Sequence, residues 1–279
     1  MTSLFSHHNP CPEKLSAAQI EEYHANGYLA FTDVLDEEEV QNAQRGLKEL
    51  IDTGARNPKY LKHTLNDLYV QFEKGYTPDL SASVDELELK VRKLMNYGAF
   101  DPHLGALATA HKRILGVVSS LIGANPLLMQ EMALIKPPFI GGEKPWHQDT
   151  AYFSITPLNS VIGVWIALDA ATVKNGCMHV LKGGHKEGPK KHHHTFDCEI
   201  LSDRYDATES IPVEIPVGGA MFFHGLLPHQ TPPNSSPDRR RALQFHYRSE
   251  KSQIADQAEY DRIFAEADGT PASCVAAKS

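Results

Sequence analysis

Two short segments of this 279-residue chain could hold a metal ion between them. In Pro145-Trp-His-Gln-Asp149 an imidazole and a carboxylate stand two residues apart, so in extended backbone both point to the same side. That is half of a metal site. With 15 histidines in the chain, roughly one His-x-Asp is expected by chance, so a third ligand is the test. Phe222-Phe-His-Gly-Leu-Leu-Pro-His229 offers two candidates, His224 and His229. Either would complete a set of two histidines and one carboxylate. Such a set takes one face of an octahedral ferrous ion and leaves about three positions for a bidentate co-substrate and O2, whereas a structural zinc site leaves none. A 2-oxo acid such as 2-oxoglutarate would chelate the ion through its keto acid end and bring its far carboxylate to a cation. Arginine suits that task, because its planar fork pairs a carboxylate bidentately and keeps its charge. Asp238-Arg-Arg-Arg241 follows both histidines closely, and two of its three arginines are expected on a solvated strand edge.

Strands must carry these groups. From about residue 127 the pattern has the period of strands, with candidates at 161–170, 178–181, 211–217, 220–224 and 241–248. Asn175-Gly176 predicts a hairpin between the first two. Upstream the chain reads as helical. Ser16 and Gln19 form a capping box with Leu15 as a staple, and Gly27 supplies a stop. Asp36-Glu-Glu-Glu39 caps a second helix with Val40, Ala43, Leu47, Leu50 and Ile51 on one face, ending at Gly54. A third helix carries Leu87, Val91 and Leu94, and a fourth opens at Asp101-Pro102 and runs to about Gly123. Helices followed by many short strands predict a mainly β sandwich or barrel with flanking helices. Segments 53–77 and 186–210 lack apolar pattern and are candidate lids.

A net charge of −8 and a pI near 6.0 give no basic field for nucleic acid. The longest apolar run, about 161–168, is far below the roughly 18 residues of a membrane span. Neither end reads as an address, so a cytoplasmic protein with no membrane partner is expected. Cys11, Cys177, Cys198 and Cys274 are far apart with no CxxC pair, and reduced thiols are expected. Lys190-Lys-His-His-His194 is expected at the surface, because consecutive residues cannot all face one ion. His179 and His185 are expected in structural hydrogen bonds, Asn159 and Asn234 in turns or supporting the site, and Trp146 either in the core or as a wall of the site.

Segments 135–185 and 222–247 resemble the phytanoyl-CoA dioxygenase family of iron- and 2-oxoglutarate-dependent oxygenases, in particular its domain-containing subgroup. The likeness is carried by Lys136-Pro-Pro-Phe-Ile-Gly-Gly-Glu-Lys-Pro-Trp-His-Gln-Asp149, Gly163-Val-Trp-Ile-Ala-Leu168, Asn175-Gly-Cys177 and Gly183-Gly-His185. The resemblance implies a double-stranded β-helix, or jelly roll, braced by N-terminal helices. It implies one domain over 1–279, with a helical part at 1–125, a catalytic core at 126–249 and a tail at 250–279. The family's distal iron histidine is the second of a His-x-x-x-x-His pair with the co-substrate arginine eleven residues on, which implies His147, Asp149 and His229 as ligands and Arg240 as anchor. His224 then becomes a core or supporting residue. The same resemblance implies that Gln148, Trp165, Thr231 and Met129 line the co-substrate pocket, and that Lys93, in a segment like the family's lysine-bearing one, joins them. A carboxylate at Asp149 implies oxygen insertion, since related halogenases leave that position empty. The implied activity uses Fe(II), 2-oxoglutarate and O2 to hydroxylate a small organic or lipid-derived acid, with release of succinate and CO2. The alternative is a cupin-like metal-binding jelly roll without turnover. A monomer is compatible with all of this.

Overall fold

The computed structural model describes residues 8, 10–64, 67–194 and 197–265. Its first helices form where a cap and an apolar stripe coincide. Helix α1 (Ala17–Asn26) starts at the Ser16/Gln19 capping box and stops at Gly27, whose φ of 84° favours glycine. Strand β1 (Tyr28–Phe31) is buried throughout, and α2 (Glu37–Ala55) starts at a second capping box, Asp36/Glu39. Then come β2 (Tyr69–Phe72), the short α3 (Val84–Glu88), β3 (Val91–Met95), α4 (Pro102–Thr109) and α5 (Lys112–Ile122).

Two helix expectations are corrected here. The spacing of Leu87, Val91 and Leu94 does not belong to one helix: Leu87 is in α3, whereas Val91 and Leu94 lie in β3, which pairs with β2 and with the following strand β4 (Leu127–Lys136). Apolar positions on two successive elements happen to fall at helical intervals. The single helix expected over 101–123 is two, because His111 caps a new helix, its Nδ1 accepting from the Ile114 amide at 3.3 Å.

The β-rich part continues with β5 (Lys144–His147), β6 (Ile155–Thr156), β7 (Val161–Ala167), β8 (Met178–Val180), β9 (His192–His194), β10 (Cys198–Ile200), β11 (Ile211–Val213), β12 (Ala220–His224), β13 (His229–Thr231), β14 (Arg240–Arg248), β15 (Gln253–Ile254) and α6 (Gln257–Phe264). The major sheet has the order β1-β12-β7-β14-β4-β3-β2 and the minor sheet β11-β8-β13-β5, each paired antiparallel. Alternation along the major sheet makes two cores. Ile162, Val164, Ile166, Phe222 and Phe245 pack on the helices with Leu47, Ile51 and Val117. Trp165, Ala167, Met221, Phe223 and Ala242 turn to the minor sheet and meet Met178, Val180 and Val213. This is the expected jelly roll with bracing helices.

The hairpin expectation fails. Strand β7 pairs with β12 and β14, and β8 with β11 and β13, so Asn175-Gly176 carries the chain from one sheet to the other. Asn175 supplies the turn by accepting from the Thr172 amide and donating to the Ala170 carbonyl, both at 2.8 Å. Within the tail, β15 pairs with β6, and α6 buries Tyr260 and Phe264. Cys198 is disulfide-bonded, which corrects the expectation of thiols, since distance along the chain says nothing of distance in the fold; Cys11 and Cys177 are free. Cys274 lies outside the described residues. No helix among the described residues is long and apolar enough to cross a membrane.

Candidate functional site

Strands β5 and β13 pair so that His147 lies opposite His229, with ring centres 4.1 Å apart. Asp149 follows at the start of a 3-10 turn. One potential ligand atom from each of the three lies within 4.8 Å of the others, and all three side chains are buried. The Nδ1 of His147 donates to the Pro145 carbonyl at 2.8 Å and that of His229 to the Leu227 carbonyl at 2.9 Å. Both rings therefore present Nε2, at 3.3 and 3.6 Å from Asp149 Oδ1. Burial, followed by the neighbouring His147, pulls the His229 imidazole down to about 3, so its Nε2 lone pair is free at neutral pH. Burial alone would raise the Asp149 carboxyl, but the neighbouring His246 and His229 imidazoles and hydrogen bonds from His147 and His246 outweigh it and hold the group well below the usual carboxylate range. Two imidazole nitrogens and one carboxylate oxygen suit a divalent transition metal held on one face.

The three groups open into a cavity of about 440 Å³ whose wall also includes Trp165, Thr231, Arg240, Lys136 and Lys93. Arg240 is 1% exposed. Its Nη1 donates to the Leu134 carbonyl at 3.2 Å, its guanidinium carbon sits 5.3 Å from the Trp165 ring centre, and its Nε has no partner among the described residues. Burial draws it down to about 10, which leaves it charged. No carboxylate among the described residues pairs with it, in contrast to Arg239 and Arg241, which bind Glu88. Only Arg239 of those two is well exposed, so the expected pair of solvated arginines is one.

The remaining expected residues divide. Trp165, Thr231 and Lys93 line the cavity. Lys93 does so from strand β3, where burial, followed by Lys144, pulls its ammonium down to about 8. Gln148 does not line it. Residues alternate across extended backbone, so between two inward ligands it turns outward, donating to the Gly188 and Leu226 carbonyls at 2.9 and 2.8 Å and accepting from the Lys190 amide at 2.8 Å. Met129 does not line it either: β4 reaches the cavity from Gln130 onward, and Met129 lies at the register irregularity between Gln130 and Leu128. His224 accepts from the Leu226 amide at 3.0 Å and packs near His185 and Tyr23, away from the metal set. Trp146 packs on Tyr205, Asn234 ties the Lys136, Pro137 and Asp238 carbonyls, and His185 contacts the His24 carbonyl.

Four contributors escaped the sequence reading. His192, expected at the surface, is 1% exposed and accepts from the Gln148 amide at 3.0 Å. Lys136 donates to the Gly142 and Thr231 carbonyls, and burial, followed by Arg240, pulls it down to about 6. Gln244 and His246 bind Asp149 Oδ2 at 3.2 and 2.7 Å. A signal for the last pair existed: Gln244 and His246 are polar residues on the parity of Arg240, set among the apolar Ala242, Leu243 and Phe245. Both candidate lids add wall, through His63, Tyr69 and Gln71 and through Asp197 and Cys198.

Residues 23–242 match the family described as phytanoyl-CoA dioxygenase (PhyH). The chain is 28% identical over 261 residues to phytanoyl-CoA dioxygenase domain-containing protein 1 of Danio rerio, covering 83% of this chain and 89% of that protein. It is 30% identical over 254 residues to phytanoyl-CoA dioxygenase 1 of Oryza sativa subsp. japonica, covering 85% and 90%. Among solved structures, EvdO2 from Micromonospora carbonacea var. aurantiaca is similar with a TM-score of 0.64 at 25% identity, over 85% of this chain and 91% of that one. The fold likeness extends to EctD from S. alaskensis, with a TM-score of 0.64 at 20% identity over 89% and 79%. With a match that runs from α1 to the start of β14 and takes in both strands that bring the histidines together, this chain belongs to the phytanoyl-CoA dioxygenase family.

Proposed function

We propose that this protein is an Fe(II)- and 2-oxoglutarate-dependent dioxygenase that hydroxylates a small organic or lipid-derived acid and releases succinate and CO2. One observation carries the reading: a single cavity holds both a three-ligand metal set and a buried guanidinium that no carboxylate of the described residues pairs with. His147 and His229 would hold the ion through Nε2 and Asp149 through Oδ1. When bound, ferrous iron with 2-oxoglutarate and O2 supplies an oxidative decarboxylation coupled to insertion of one oxygen atom into a C–H bond.

The protein's own residues bind, orient and exclude water. Arg240 takes the far carboxylate of 2-oxoglutarate from its place over the Trp165 ring, with Thr231 and Lys93 on the wall of the same cavity. Met132, Phe153 and Trp165 cover the reacting face with apolar surface. An acid as substrate is supported by Lys93, which lines the cavity outside the ion pairs that Arg92 and Lys144 make with Glu73 and Asp197.

The test is anaerobic addition of ferrous iron and then 2-oxoglutarate to the purified protein. A weak visible charge-transfer band from bidentate chelation is expected, followed by succinate release in air with candidate acids. Tight iron binding without the band would overturn the reading in favour of a metal-binding jelly roll without turnover.

A further inference from the structure

A carboxylate ligand has two oxygens, and how many of them reach the metal decides how many positions stay open. Six positions less three leave room for a chelating 2-oxo acid and O2; a carboxylate bound through both oxygens would leave one fewer. In this protein the two oxygens of Asp149 are treated differently. Oδ1 faces the Nε2 atoms of His147 and His229. Oδ2 is turned to His246 Nε2 at 2.7 Å and Gln244 Nε2 at 3.2 Å.

Both donors are buried and come from β14, across the sandwich from the histidine ligands and on the strand parity of Arg240. The His246 ring lies against Phe153 with centres 5.0 Å apart, and its Nδ1 has no partner among the described residues. Nε2 is therefore the ring atom with an acceptor to serve, and Gln244 Nε2 lies 3.0 Å from it, so the two donors converge on one carboxylate oxygen.

We propose that His246 and Gln244 are positioning residues that hold Asp149 as a one-oxygen ligand, keeping Oδ2 off the metal so that the positions for co-substrate and O2 stay open. This rests on the iron-dependent reading above. It makes β14 responsible for both halves of the site, with Arg240 anchoring the co-substrate and the residues four and six positions on orienting the carboxylate.

The experiment titrates Co(II) into the apoprotein, recording affinity and the visible absorption that reports coordination number, for wild type, H246L, H246N, H246Q and Q244L. Leucine removes the donor, the asparagine amide is too short to reach Oδ2, and the glutamine amide reaches it. We expect affinity about 10- to 100-fold weaker, with an altered band, in H246L and H246N. H246Q should return the wild-type band, and Q244L should show a smaller change in the same direction. If H246L does not fold, H246N against H246Q carries the comparison. Wild-type affinity and band in H246N, or failure of H246Q to restore what H246N loses, would overturn the proposal. A wild-type protein that takes up no metal would instead overturn the iron-dependent reading itself.

Discussion

Strands β13 and β14 both feed the cavity, yet they are built differently. Strand β13 is three residues long and lies in the smaller sheet, where it offers His229 to the metal set and Thr231 to the wall. Strand β14 is nine residues long, is paired on both sides in the larger sheet, and is buried at all but its last position. One face of β14 packs Leu243 and Phe245 on the helices, while the other brings Arg240, Gln244 and His246 to the cavity. The contrast teaches that the ligands are set by one local cross-strand pairing, whereas the anchor and the carboxylate supports share a strand with the core. A change on β13 should therefore cost function with little stability, and a change on β14 should cost one or both according to the face.

The largest effect is expected at the ligand. His229→Ala should take turnover below detection and abolish Co(II) uptake, while the melting temperature of the apoprotein falls by only a few degrees; calorimetry beside metal titration checks this, and a collapse of the fold would break the contrast. On the core face of β14, Leu243→Ala should cost about 2–5 kcal/mol of stability, read by denaturant unfolding, with metal affinity in the surviving folded protein unchanged. On its cavity face, Arg240→Met removes two charge-assisted hydrogen bonds to the co-substrate, about 3 kcal/mol together, or roughly 100-fold in 2-oxoglutarate affinity. Ferrous affinity should stay as in wild type, and isothermal titration of each ligand separates the two.

Per pH unit, the smallest effect concerns Lys136, the register neighbour of Arg240 on β4. Burial brings its ammonium down to about 6 from an ordinary value of 10.5. Between those values the unfolded chain binds the extra proton, so stability gains with rising pH, by at most about 1.4 kcal/mol per unit. The penalty is full below about pH 6 and fades as pH climbs toward 10.5. Lys136→Met should remove that slope when unfolding free energies of the two proteins are compared between pH 6 and 10; parallel curves would show that the lysine stays charged.

Much of this protein was legible in its residues one segment at a time. Capping boxes at Ser16 and Asp36 act locally and mark their helices as expected. The same holds for His147 and Asp149, whose common direction follows from strand period alone, and for the arginine stretch that contains Arg240. The misreadings share one cause, which is that partners distant in sequence set the outcome. Val91 and Leu94 look helical until β2 and β4 claim them as a strand between. Asn175-Gly176 makes its turn, but which sheet the next strand joins depends on β11 and β13. His192 is polar and sits among lysines, and its burial is decided by the Gln148 amide and by Phe264 of α6.

By itself, then, the sequence determined the element types near each cap, the direction of the ligand pair and the donor chemistry available to a metal. Only the tertiary structure decided that His229 stands opposite His147, that Arg240 rather than its neighbours lies in the cavity without a carboxylate partner among the described residues, and that His246 and Gln244 hold the second oxygen of Asp149. Backbone periodicity and capping are properties of a few consecutive residues. Burial and the pairing of charges are properties of whatever the folded chain brings alongside.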